Sequence, residues 1–228
     1  MKNTLSADLM KCLHETDTTA IFDAIETFNV RPRTEGFMSS EIRCLFHELG
    51  VMVGYAVTVC FDNSTVGVPY DVNQAVRLWE AIQASPKPAV VVCKDIADNP
   101  IRSAHFGEGM TTMSEILGAV GMVSDACVRD VEGIHTHRFH VFCRGTIVSH
   151  GAVRIVAVGQ PVTIGGLTIT PGDLIHANGD GVLLIPDVLV PRMDEVLFKA
   201  RAISEREQEL WRYYRSTEFT IEGWRKLH

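Results

Sequence analysis

No apolar run in this sequence is long. Runs such as 89–93 and 181–185 fall far short of the roughly 20 residues that a membrane-spanning helix needs. Dense basic runs are missing too. Lys and Arg number 21 against 28 Asp and Glu, for a net charge of −7, so the clustered cations that nucleic-acid phosphates require are absent. The opening residues, MKNTLSADLMKCLHETD, carry charges where a secretory leader would carry an apolar core. The six cysteines (Cys12, Cys44, Cys60, Cys93, Cys127 and Cys143) form no CxxC pair, and several sit in apolar contexts such as VTVCF and VVVCK. They read as reduced core thiols, not as a disulfide framework or a zinc cluster. No dinucleotide fingerprint is present, because GEG at 107–109 lacks the G-x-G-x-x-G spacing. Nor is there a Gly-rich strand-to-helix loop of the S-adenosylmethionine type. The expectation is a cytoplasmic protein with neither a membrane nor a nucleic-acid partner.

The 228 residues are 46% hydrophobic, enough for a sizeable core. No linker, repeat or low-complexity tract divides them, so one domain spanning 1–228 is expected. Ala20, Ile21, Ala24, Ile25 and Phe28 recur at helical spacing behind Asp17, a candidate N-cap. The run 51–61 reads as strand, 72–84 as an amphipathic helix and AVVVC as a buried strand. Helical spacing returns over 108–120, closed by Gly121 as a candidate C-cap. This alternation predicts an α/β fold. From 139 to 186 short β runs alternate with Gly, Pro and Asp, the rhythm of a turn-rich β structure. The charged segment 190–216 reads as one long helix, whose far end a symmetric partner chain would cover.

The chemistry concentrates in HFGEGMTTMSEILGAVGMVSDACVRDVEGI, residues 105–134. At Gly107-Glu108-Gly109-Met110 a helix begins with uncovered backbone N–H groups at the positive end of its dipole, suited to carboxylate or enolate oxygens. A second helix start follows a short strand, with Val128-Arg129-Asp130 at a strand-to-loop or loop-to-helix junction, and α/β folds bind ligands at such strand ends. Arg129 offers a planar fork for a carboxylate and Asp130 an oxygen ligand for a hard divalent cation. Asp130 would equally serve as the cap of the following helix. His135, His137 and His140 form an H-x-H-x-x-H cluster. On an extended chain the first two point the same way, so a second metal site is conceivable beside a simple hydrogen-bonding role. His150 and His176, within β runs, read as satisfied polar groups.

Glu108 and Arg129-Asp130 form E-x20-R-D, which resembles the D-x20-R-D pattern of 4-hydroxy-4-methyl-2-oxoglutarate aldolases, in the superfamily that also holds the regulator of ribonuclease activity A. The resemblance extends through DTTAIFDAIETF, GYAVTV and the region from VFCRG to VLLIP, with its G-G-x-x-x-x-P-G-D turn. It implies a single-domain layered β/β/α fold, swivelling-domain-like, with a helical N-terminus and a long C-terminal helix. It further implies a homotrimer or hexamer with active sites between subunits, and a metal-dependent carbon–carbon lyase. Such an enzyme releases pyruvate from a 4-hydroxy-2-keto acid and decarboxylates oxaloacetate as a side activity. Arg129 would bind the substrate's keto-acid carboxylate, and Asp130 would ligate Mg²⁺ or Mn²⁺. Glu108 would orient water at the cation, while backbone groups of Gly107, Glu108, Gly109 and Met110 would contact the substrate. Glu205 from a neighbouring subunit, or else Glu207, would complete the site. The sequence departs from the pattern at Glu108 for Asp, at Ala126 for Gly and at Asn178 for Asp. Superfamily members that bind a ribonuclease without catalysis give the alternative, a non-enzymatic binding protein.

Overall fold

The computed structural model describes residues 4–64, 67–69 and 71–227. Ser6 starts the first helix by accepting the Leu9 N–H at 3.3 Å, and α1 (Ala7–His14) leads into α2 (Thr18–Glu26). The expected Asp17 cap is not made. Its carboxylate accepts instead from the Asn178 side chain, tying the start of α2 to the sheet. The chain continues through β1 (Arg43–Cys44), β2 (Met52–Asp62), α3 (Val72–Ala84), β3 (Ala89–Asp95), β4 (Ala104–Phe106) and α4 (Glu108–Ile116). Next come β5 (Ala119–Ser124), β6 (Cys127–Val128), α5 (Val131–Thr136), β7 (His140–Cys143), β8 (Gly145–Thr146) and β9 (Arg154–Val158). The hairpin β10 (Val162–Ile164) and β11 (Leu167–Ile169) precedes β12 (Leu174–Asn178), β13 (Gly181–Leu184), α6 (Met193–Tyr214) and α7 (Ile221–Leu227).

The main sheet runs β1-β7-β5-β3-β2-β12-β13, with β7, β5, β3 and β2 parallel. The long strand β2 pairs with β12 along its first half and with β9 along its second. Ten of its eleven residues are buried, as expected of a strand covered on both faces. Alternation then sorts its side chains. Val57, Val59, Val91 and Cys93 face the helices with Leu78 and Ile82 of α3. Ala56, Val90, Val92 and Val123 face Val162, Ile164 and Ile169 of the hairpin, which turns through Gly165 and Gly166 at φ 55° and 79°. Helices, sheet and a second β layer therefore stack as the expected layered α/β fold. A third cluster seats α1, α2 and the first turns of α6 on Val53, Tyr55, Leu174 and Leu183.

Two boundaries differ from expectation. Helix α4 stops at Ile116 because Gly118 (φ 91°) turns the chain, and 119–124 becomes a strand beside β3. Gly121 lies inside that strand, where a Cβ would sit 2.4 Å from the Met52 sulfur, so it serves close packing and not helix capping. The C-terminal helix begins at Met193, after a 3-10 turn over Asp187–Arg192 that contains Pro191. At 22 residues α6 is about 33 Å long, and its fully buried residues, Met193, Val196 and Ala200, lie in the first turns.

Candidate functional site

A small parallel sheet, β4-β6-β8, sits beside the main one and sets the site. Phe106 pairs with Val128, and the Arg129 N–H donates to the Phe106 carbonyl at 3.0 Å. The two strand ends are therefore adjacent, and Gly107 meets Arg129-Asp130. Asp130 adopts a left-handed backbone (φ 54°, ψ 43°), a region that Asp tolerates better than most residues. Its carboxylate makes no cap on α5, the role open to it from sequence. Oδ2 instead turns back to α4, accepting the Glu108 N–H at 3.3 Å with Arg129 Nε 3.6 Å away. Both contacts fall on Oδ2.

Gly107 makes this approach feasible. A Cβ there would stand 2.5 Å from Asp130 Oδ2 and 3.2 Å from Arg129 Cγ. A second glycine plays the same part for Glu108. A Cβ on Gly133 of α5 would lie 2.6 Å from Glu108 Oε2, so the Glu108 carboxylate rests against α5 beside the cavity. Gly107, Gly109, Met110, Arg129 and Asp130 line a cavity of about 540 Å³. Gly107 caps α4 without a side chain, which leaves the first-turn N–H groups of Gly109 and Met110 at the helix's positive end.

The same cavity is lined by residues that sequence reasoning missed or left unassigned. Arg154 of β9 donates through Nη2 to Asp62 Oδ2 of β2 at 2.7 Å, a direct cross-strand pair in the β2–β9 register. Hydrogen bonds from the Ser64 hydroxyl and N–H, followed by that from Arg154, lower the Asp62 carboxyl to about 2. His105, buried and stacked on Phe61 at 4.2 Å, also reaches the cavity wall. Its Nε2 lies 3.0 Å from Asp95 Oδ2, and its Nδ1 lies 2.9 Å from Ser124 Oγ. Burial would raise the Asp95 carboxyl, but hydrogen bonds from His105, Ala97 and Ser103 outweigh it and hold it below its ordinary value. An ionised Asp95 requires a proton on His105 Nε2. This Ser-His-Asp series is not a nucleophile relay. Ser124 is fully buried, and its Oγ already accepts the Ala126 N–H.

The histidine cluster disperses. Residues 131–136 are helical, not extended, and Arg138 (φ 52°) then turns the chain. His135 pairs with Glu48 at 2.7 Å, while His137 pairs with Glu115 at 2.6 Å and lies 3.2 Å from Thr112 Oγ1. His140 is pushed down to about 4 by burial. Among the described residues no three His, Cys, Asp or Glu side chains converge to hold a metal ion. His176 is satisfied in the core, 2.9 Å from the Thr18 hydroxyl and 3.0 Å from the Leu13 carbonyl. Glu205 and Glu207 lie on the outer length of α6, apart from the cavity-lining residues. One chain therefore brings Arg129 and Asp130 to the Glu108 N–H, while the Glu108 carboxylate lies against α5 outside the cavity-lining set and Glu205 lies elsewhere.

A family model described as RraA-like, aldolase/RraA, matches residues 18–184. A Halalkalibacterium halodurans protein named "Putative 4-hydroxy-4-methyl-2-oxoglutarate aldolase" is 36% identical over 123 residues, 54% of this chain and 57% of that protein. Protein DlpA of Legionella pneumophila is 34% identical over 131 residues, 57% of this chain and 20% of that protein. The matches thus span about half or less of these relatives' lengths. Among solved structures, an uncharacterized Pseudomonas syringae protein superposes with TM-score 0.75 at 24% identity, covering 100% of this chain and 97% of that one. Streptomyces coelicolor RraAS2, described as an unusual member of the RNase ES inhibitor RraA family, gives TM-score 0.69 at 20% identity, with 92% and 98% covered. These likenesses show the fold.

Proposed function

The chain belongs to the RraA-like, aldolase/RraA family, and from that premise we propose that it is a divalent-metal-dependent aldolase releasing pyruvate from a 4-hydroxy-2-keto acid, with oxaloacetate decarboxylation as a side reaction. One observation carries the reading. A guanidinium and a carboxylate are wedged onto a helix start by a glycine that leaves no room for a Cβ. In this reading the Arg129 fork binds the keto-acid carboxylate. The Gly109 and Met110 N–H groups direct fixed dipoles at the oxygen that gains charge. Asp130 suits a Mg²⁺ or Mn²⁺ ion by the chemistry of its donor. It is a hard, partly exposed carboxylate whose described contacts use Oδ2, and Mg²⁺ is often held by one or two carboxylates with water filling the rest. When bound, the cation supplies Lewis-acid stabilisation of negative charge on the substrate oxygens.

The remaining chemistry falls to proton transfer. As the C3–C4 bond breaks, the 4-hydroxyl proton leaves, C4 becomes a carbonyl, and the electron pair stays on C3 until a proton returns to form the methyl group of pyruvate. Glu108, or Glu205 (alternatively Glu207) of a neighbouring subunit, would hold the water that relays these protons. The length of α6 beyond its buried turns supports an assembly, and we read a trimer or hexamer of single-domain chains, 1–228. Six free cysteines fit a reducing cytoplasm, and no described helix is long and apolar enough to cross a membrane. The test is pyruvate release from 4-hydroxy-4-methyl-2-oxoglutarate and from oxaloacetate, with Mg²⁺ and with EDTA. Metal-dependent turnover is expected. Its absence on a broad panel of 4-hydroxy-2-keto acids and on oxaloacetate would overturn the reading in favour of a non-enzymatic, ribonuclease-regulator-like binding protein.

A further inference from the structure

The cavity that holds Arg129 contains a second guanidinium, which the reaction described above does not use. Arg154 lies on the cavity wall between Val153 and Ile155, its side chain 30% exposed, and it is anchored from behind by Asp62, whose side chain is 7% exposed. The anchoring is one-sided. Ser64 occupies Asp62 Oδ1 with both its hydroxyl and its N–H, and Arg154 reaches Oδ2 through Nη2 alone. Arg154 Nε is buried with no acceptor among the described residues. A pair that served only to tie β2 to β9 would be expected to use the guanidinium fork on both carboxylate oxygens, the favoured Arg–carboxylate geometry. Here the Ser64 donors have taken half of the carboxylate. The guanidinium is fixed in place and its hydrogen-bonding capacity is left mostly unspent.

An anionic group entering the cavity would meet the exposed part of that guanidinium, not the buried Nε. We propose that Arg154 is a specificity-determining residue, the group that binds the distal carboxylate which an oxoglutarate-type 4-hydroxy-2-keto acid carries. This rests on the aldolase reading for which end Arg129 holds. Asp62 contributes as a positioning residue. It stays ionised through the neutral range, so the guanidinium is held in one place wherever the protein works.

Two five-carbon probes separate the proposal from a structural role. 2-Oxoglutarate and 2-oxopentanoate share the keto-acid end and differ at C5, where one carries a carboxylate and the other a methyl group. Titration calorimetry on the intact Mg²⁺-loaded protein should show 2-oxoglutarate binding about 30-fold more tightly, within the range for a hydrogen bond to a charged group. Arg154→Gln should erase that preference to within about threefold while 2-oxopentanoate binding falls little, and Arg154→Lys, which keeps the charge but not the fork, should retain part of it. The ratio of kcat/KM for dicarboxylic and monocarboxylic 4-hydroxy-2-keto acids should collapse in parallel. Equal losses for both probes in Arg154→Gln, with the Arg154→Lys protein folded and unchanged, would mark Arg154 as a strap between strands and overturn the proposal. So would equal binding of both probes by the wild-type protein, or binding of neither. Arg154-dependent binding of 2-oxoglutarate without any pyruvate release would refute the aldolase reading and leave this one standing. Cleavage without preference for the distal carboxylate would do the reverse.

Discussion

Replacing Gly107 by Ala adds one carbon atom at the point where the two site motifs touch, and its consequences can be worked from the geometry. The backbone there is extended (φ −141°, ψ −170°), so alanine meets no conformational obstacle. The obstacle is the new Cβ, 2.5 Å from Asp130 Oδ2 and 3.2 Å from Arg129 Cγ. An ordinary carbon–oxygen contact needs roughly 0.7 Å more than the first of these distances, so the Asp130 carboxylate must move off the Glu108 N–H, which is already 3.3 Å away. Displacements approaching 1 Å in a reacting constellation cost about 100-fold in rate. The stability effect should be small. An exposed hydrogen bond and a glycine N-cap are lost, together about 1 kcal/mol, which lowers Tm by roughly 2–4 °C for a chain of this size. The prediction is thus a hundredfold fall in kcat/KM for pyruvate release, followed with lactate dehydrogenase and NADH, alongside a nearly intact melting curve. Gly145→Ala is the steric control, since a Cβ there has nothing within 4 Å. Gly107→Ala activity within threefold of wild type would refute the claim that close approach at Gly107 sets the site.

Asp130→Ala should abolish metal-dependent pyruvate release, and exhaustive chelation of the wild-type protein should do the same; full activity in either case would sink the metal assignment. Arg129→Lys keeps a charge but loses the bidentate fork and should remain impaired by about 100-fold in kcat/KM, whereas a near-normal value would assign the arginine a structural role. Mixing inactive Asp130→Ala chains with inactive Glu205→Ala chains should restore part of the activity, because some interfaces then combine both intact residues. No recovery after verified subunit exchange would show Glu205 to be the wrong residue. Acid stability should follow His176, which burial pushes down to about 4 while the unfolded chain titrates at the ordinary value of 6.5. Protons then favour the unfolded state, so up to about 3 kcal/mol present above pH 6.5 is lost as pH falls toward 4. Urea titrations of wild type and His176→Asn should converge over that range, and parallel curves would exclude His176 as the source.

What could be read from the sequence was whatever a single segment decides. Val76, Leu78, Trp79 and Ile82 place a helix over 72–84, and α3 occupies Val72–Ala84, because one amphipathic stripe needs only one face of the sheet to settle it. The Gly107–Met110 helix start and Arg129-Asp130 were legible in the same way, the second after a short strand, whereas the strand β4 that precedes Gly107 was not. Where local spacing was ambiguous it misled. Met110 to Val120 keeps helical spacing past Gly118, yet pairing with β3 claims 119–124 for the sheet, since a buried apolar strand gains more than another turn of helix would. The histidines 135, 137 and 140 align on an extended chain and scatter once 131–136 coils. Illegible altogether were the pairs made by topology. Asp62 and Arg154 stand 92 residues apart and meet because β9 returns antiparallel along the second half of β2. His105 finds Asp95 and Ser124 only because β3 and β5 run parallel beneath it. A polar residue closing an apolar run, as Asp62 closes VTVCFD, is the one local trace such a pair leaves. It marks a charge that the fold must answer, and the register decides which residue answers it.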